Sequence, residues 1–160
     1  MVKNKDLKKF EIFSVFSEKQ REELSKITEK KTYQMSKQVY QSGDRAKQLF
    51  VVTKGLVSLR ELKPGDEIGI GLENLERGDI FGCASFLKPQ KYTLTAVCEE
   101  DSEVLAIDAD QLIELCELDP EIGYKFMKKI AQIYFERYEV AKRQIHEMVK
   151  TPTLITALPG

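Results

Sequence analysis

Between residues 28 and 108 the apolar residues come in short runs separated by turn chemistry, with a rhythm of roughly ten residues per run. The segments 32–35, 38–41, 49–52, 56–59, 92–98 and 103–107 read as strands. So does 68–72, where Ile68, Ile70 and Leu72 alternate with Gly69 and Gly71, as in a strand pressed against neighbouring backbone. Ser42-Gly43-Asp44, Glu76-Arg77-Gly78-Asp79 and Glu99-Glu100-Asp101 are turns, and Lys63-Pro64-Gly65-Asp66 is the clearest hairpin tip. The segments 92–98 and 103–107 are expected to pair around the acidic turn between them. About eight short strands of this kind predict a jelly-roll barrel.

Outside this region the period changes to that of helices. Residues 4–27 predict two helical pieces, with Phe10, Phe13 and Phe16 as a packing ridge and Ser17 capping a helix over 18–27. Asp108 caps a helix over 109–118, with Leu112, Ile113 and Leu115 turned inward. Asp119-Pro120 ends it and opens another, Asp at the N-cap and Pro at the first helical position. That last helix is expected to run to residue 149, far beyond the usual length. Phe126, Ile130, Tyr134 and Tyr138 step along it by four, and Ala141, Ile145 and Met148 continue at heptad-like spacing. An apolar seam this long, from Ile130 to Met148, has nothing of its own chain to cover it. A homodimer through this helix is therefore expected. One domain is read over 1–149, with the barrel at about 28–108, C-terminal helices at 109–149 and a loosely ordered tail at 150–160.

Composition narrows the chemistry. The 160 residues are 42% hydrophobic and 32% charged, enough for one proper core. Twenty-five basic against 26 acidic residues leave a net charge of −1, so there is no electrostatic footprint for DNA or an anionic membrane. Apolar runs of four to five residues make neither a membrane span nor a leader, and a cytoplasmic location is expected. Cys83, Cys98 and Cys116 are odd in number and widely spaced, which argues against a disulfide framework. Cys98 and Cys116 read as small buried hydrophobes; Cys83, at a helix start, is the one with a case for thiolate chemistry. The single histidine, His146, lies far out on the last helix. No metal cluster or nucleophile–base pair can be assembled from this inventory, so neither an enzyme nor a metal cofactor is expected.

The stretch Arg77-Gly78-Asp79-Ile80-Phe81-Gly82-Cys83-Ala84-Ser85-Phe86-Leu87 stands out. Glycines bracket an apolar pair and small residues follow at once, as where a strand stops, turns sharply and starts a short helix. Main-chain N–H groups at such a turn, here at Gly82, Cys83 and Ala84, form an anion site.

The order of parts resembles the cyclic-nucleotide-binding domain of the catabolite activator protein family. Gly43-Asp44 before Leu49-Phe50-Val51-Val52-Thr53-Lys54-Gly55, then Gly78-Asp79-Ile80-Phe81-Gly82, the strands within 92–107 and Asp119-Pro120-Glu121-Ile122 carry the resemblance, over roughly residues 13–149. It implies a sensing domain that binds a cyclic nucleotide between barrel and long helix. In that family a Glu after the glycine meets the ribose hydroxyl, and an Arg followed by Ser or Thr meets the phosphate. Here Cys83 stands at the Glu position, Gln90 and Lys91 at the Arg and Ser/Thr positions, and Tyr92 follows. Losing both anchors is expected to weaken a cyclic nucleotide by about two orders of magnitude. Lys91 offers charge without the guanidinium fork. The helix positions that meet the purine fall on Arg137 and Tyr138.

Three readings follow. The chain is a regulatory module taking a cyclic nucleotide or another small anion and signalling through its dimer helix. Or it is a regulator of the same family without a helix-turn-helix domain, since only about ten residues follow the long helix. Or it is an interaction domain that has kept the fold and lost the ligand.

Overall fold

The computed structural model describes residues 1–150; the expected tail lies outside the described residues, except Lys150, which is helical. Helices α1 (Asn4–Leu7), α2 (Glu11–Ser14) and α3 (Glu18–Lys26) open the chain as three pieces rather than two. Phe10, Phe13 and Phe16 are all buried, as the ridge requires. Ser17 and Gln20 form a reciprocal capping box at the start of α3. The Gln20 amide also reaches Asp119 at 3.1 Å, tying α3 to the helix junction ninety-nine residues on.

Strands β1 (Thr28–Tyr33), β2 (Gln38–Tyr40), β3 (Gln48–Lys54), β4 (Val57–Glu61), β5 (Ile70–Leu75), β6 (Ile80–Phe81), β7 (Thr95–Cys98) and β8 (Ser102–Asp108) form two antiparallel four-stranded sheets. Their orders are β1-β8-β3-β6 and β2-β7-β4-β5. About eight strands are expected, and among the described residues eight are present as two sheets. β1 comes earlier than the expected 32–35, β5 later than 68–72, and β7 is shorter than 92–98. No named strand pairs across from one sheet to the other. One core lies between them, built from Phe50 and Val52 of β3, Phe81 of β6, and Val104 and Ala106 of β8. From the other sheet come Val57 and Leu59 of β4, Leu75 of β5, and Ala96 and Cys98 of β7.

The β4–β5 hairpin turns at residues 63–66 as expected, with the Lys63 N–H on the Asp66 carboxylate at 3.0 Å. The expected pairing of 92–98 with 103–107 is not formed. β7 pairs with β2 and β4, whereas β8 pairs with β1 and β3. The acidic turn therefore crosses from one sheet to the other, because both strands carry core-facing residues and cover the same core from opposite sides. β5 is an edge strand, with Ile70 and Leu72 exposed. Close approach of backbone is found at Gly69, where an added methyl group would strike the Glu61 carbonyl. It is absent at Gly71.

Helix α4 (Ala109–Leu118) is capped by the Asp108 carboxylate on the Gln111 N–H, and α5 (Pro120–Lys150) starts with the Asp119 carboxylate on the Glu121 N–H at 3.2 Å. Leu112 is fully buried, while Ile113, Leu115 and Cys116 are half-buried. The chain divides into two compact units, Met1–Tyr124 and a second beginning at Lys125, which among the described residues is the rest of α5.

Candidate functional site

The turn into the 77–87 stretch is built by local bonds. The Asp79 carboxylate accepts from the Glu76 N–H at 2.8 Å, and Gly78, at φ +93°, donates to the Val52 carbonyl at 2.8 Å. β6 then lies on β3 with Phe81 opposite Phe50 and Ile80 opposite Val51. Gly82 turns the chain at φ +78°, a backbone conformation costly for any side chain. A single 3-10 turn, Cys83–Phe86, follows, with Ser85 N–H on the Gly82 carbonyl at 3.2 Å and Leu87 N–H on that of Ala84 at 3.0 Å. The Arg77 guanidinium lies over the Phe10 ring, 5.1 Å from its centroid, and fixes the stretch to the N-terminal helices.

The inner side of the turn is already packed. A methyl group added at Gly82 would lie 2.9 Å from the Gln48 carbonyl, 3.0 Å from Phe50 and 3.4 Å from Tyr92. Cys83 is 5% exposed and Ser85 fully buried, with Ala84 half-buried. Burial removes the exposure that redox chemistry at Cys83 needs. The Ser85 hydroxyl is the one buried side-chain oxygen without a hydrogen-bond partner among the described residues.

Residues 90–92 do not belong to β7. They bond instead to the loop before β3: Ala46 N–H to the Gln90 carbonyl at 2.8 Å, Tyr92 N–H to that of Asp44 at 3.0 Å, and Gly43 N–H to that of Tyr92 at 2.8 Å. The Gln90 amide donates to the Ser85 carbonyl at 2.7 Å, so it clips the loop to the 3-10 turn. Lys91 is exposed and stands opposite Arg45 in a β-bridge. Alternation sends its side chain to the face away from the buried Tyr92. The Tyr92 hydroxyl donates to the Gln48 carbonyl at 2.7 Å and accepts from the Gln48 N–H at 3.2 Å. Burial pushes its pKa up to about 12, against the lowering effect of the Gln48 backbone, so it is a neutral phenol at any physiological pH.

On α5 the uncovered apolar residues form a longer seam than the spacing suggested. Phe126 is buried and Ile130 half-buried, so neither is on the open face. Tyr124, Met127, Ala131, Tyr134, Tyr138, Ala141, Ile145 and Met148 are exposed at an unbroken alternation of three- and four-residue steps, and Phe135, Val140 and Val149 are exposed off that line. Arg137 lies 5.3 Å from the Tyr134 ring centroid and Lys142 lies 5.5 Å from that of Tyr138. Lys142 also pairs with Glu139 at 2.9 Å. Arg137 and Tyr138 thus belong to the second compact unit.

Sequence reasoning missed a polar cluster on the second sheet. Glu99 accepts from the Ser58 hydroxyl and from the Arg60 guanidinium, and Arg60 also donates to the Ile68 carbonyl at 3.2 Å. The Ser58 hydrogen bond, and then Arg60, hold the Glu99 carboxyl below the usual range. It borders a cleft of about 210 Å3, and another of about 270 Å3 opens among Tyr33, Lys54, Asp101 and Glu103. The three members are spread over forty-two positions, and nothing in their local spacing marks them. Among the described residues no group of His, Cys, Asp and Glu could hold a metal ion, and no helix is long and apolar enough to cross a membrane.

Two antiparallel sheets over one core, a glycine turn opening into a 3-10 helix, and a long helix after an Asp-Pro junction define the class of fold. The chain belongs to the cyclic nucleotide-binding domain family, whose model matches residues 30–119. A Geobacter metallireducens protein described as cyclic nucleotide-binding superposes with a TM-score of 0.77 at 22% identity, over 86% of this chain and 99% of its own. A cyclic nucleotide-binding domain from Methylobacillus flagellatus gives 0.72 at 18% identity, over 96% and 82%. The Thermus thermophilus catabolite activator protein gives 0.68 at 22%, over 86% of this chain and 62% of the activator. At these identities the likeness is one of fold. No curated protein matches.

Proposed function

We propose that this chain is a non-catalytic regulatory module of its family. It receives a small anion, a cyclic nucleotide or a smaller one, at the main-chain N–H groups of Gly82, Cys83 and Ala84, and answers by changing how α5 pairs with a second copy. The observation that carries this reading is the eight-residue seam of α5, apolar and uncovered over six helical turns. A ligand can act through it only by favouring one helix arrangement over another, which fixes what must be measured.

The test combines sedimentation with thermal unfolding in the presence of cyclic AMP, cyclic GMP, inorganic phosphate and other small anions. A dimer at micromolar concentration is expected. An anion at a hundred times its Kd adds about 2.7 kcal/mol of stability, enough for a clear rise in Tm. A monomer under all conditions breaks the reading.

A second reading, a ligand-free interaction domain, is favoured by the Gln90 amide held on Ser85 and by the outward-facing Lys91. It predicts the dimer without any anion-dependent shift.

A further inference from the structure

The interior beside Gly82 is occupied by a side chain that behaves as a ligand would. The Tyr92 ring stacks on Tyr40 with centroids 3.6 Å apart and planes 11° from parallel. Phe50 and Phe81 stack in turn at 5.0 Å, and the Tyr40 ring lies 5.8 and 6.0 Å from them. The polar edge of Tyr92 is read by one peptide unit each way, the carbonyl and N–H of Gln48, and that same carbonyl lines the inner side of Gly82. A flat ring clamped on an aromatic face, with its rim hydrogen-bonded to main chain, is how a protein grips a heteroaromatic base.

We infer that Tyr92 is the specificity-determining residue of this site: a built-in occupant whose ring, stacked on Tyr40 and bonded to Gln48, shuts a nucleobase out of the interior beside Gly82. The inference deepens the regulatory reading only in placing the ligand at Gly82. It restricts that ligand to an anion without a base buried between the sheets. Ring-for-ring exclusion is a matter of volume, because a packed core has no room for a second aromatic without removing the first.

Tyr92→Ala removes the occupant, and the test asks whether an external ring can replace it. Wild type, Tyr92→Ala and Tyr92→Phe are compared by thermal unfolding and calorimetry with p-cresol, cyclic AMP and cyclic GMP. The expected result is a lowered Tm in Tyr92→Ala that p-cresol partly restores. It should bind that variant at least about tenfold tighter than wild type, the gain that even one added methylene brings in a hydrophobic pocket. Tyr92→Phe keeps the ring and should exclude p-cresol as wild type does. Tyr92→Leu, which keeps more of the core's bulk, is the folding-competent substitute if the Ala variant does not fold. Wild type binding a cyclic nucleotide as tightly as the Ala or Leu variant overturns the inference, as does p-cresol binding that does not distinguish them. A wild-type shift with inorganic phosphate supports the regulatory reading whichever way p-cresol behaves. Rescue by p-cresol with no anion shift in any protein removes that reading and leaves the occupant role standing.

Discussion

The inter-sheet core and the open face of α5 are both built from aromatic and aliphatic side chains, yet they end in opposite states. Between the sheets Phe50, Phe81, Tyr92 and Val104 are buried against residues from both layers. Along α5 the rings of Tyr134 and Tyr138 stay 47% and 61% exposed, with Arg137 and Lys142 of their own helix lying over them. A sheet with one apolar face finds its complement in the same chain, since eight strands fold into two layers. Among the described residues the open face of α5 finds none. The first region is therefore a matter of folding, and the second, on the proposed function, a matter of association.

This contrast can be broken in measurable ways. Phe81→Ala empties part of the core and should cost about 3–5 kcal/mol in urea unfolding. A smaller loss would mean that the inter-sheet space collapses readily. Tyr138→Glu with Ile145→Glu should instead leave unfolding of the sheet unit unchanged. In sedimentation it should raise the dimer Kd by about two orders of magnitude, because buried unpaired carboxylates oppose pairing. Equal loss of sheet stability would show that the seam serves folding. Ser17→Ala removes one arm of the capping box and should cost about 1 kcal/mol, read in the same urea experiment.

The smallest effect is a pH dependence at Glu99. Its folded pKa lies below the ordinary carboxylate value of 4.5, so its contribution is complete above that value. The contribution fades as pH falls through the folded value and the bonds to Ser58 and Arg60 are lost. Wild type should thus lose stability below about pH 4.5 more steeply than Glu99→Gln. Parallel curves would remove the cluster from the account.

Much of this was legible in the residues. Ser17 with Gln20, Asp108, and Asp119-Pro120 mark helix starts by local chemistry, and each acts as its type requires. Gly82 marks the turn because only glycine enters a positive φ without strain. The Pro-Gly tip marks one hairpin for the same kind of reason. The partner of each strand was not legible: β7 and β8 are separated by three residues and yet stand in different sheets, a choice made by the shared core. At the candidate site, Gln90, Lys91 and Tyr92 are consecutive, but one clips a turn, one faces out and one fills the interior.

By itself, then, the sequence determined where α3, α4 and α5 begin, that helices flank short strands, and that α5 carries an apolar stripe. These follow from propensity, capping and period, which act over a few residues. Only the tertiary structure decided which strands share a sheet, that Glu99 meets Arg60 and Ser58, and that Tyr92 lies on Tyr40 against Gly82. Those contacts join residues far apart in the chain, and volume and hydrogen-bond satisfaction in the assembled core select them.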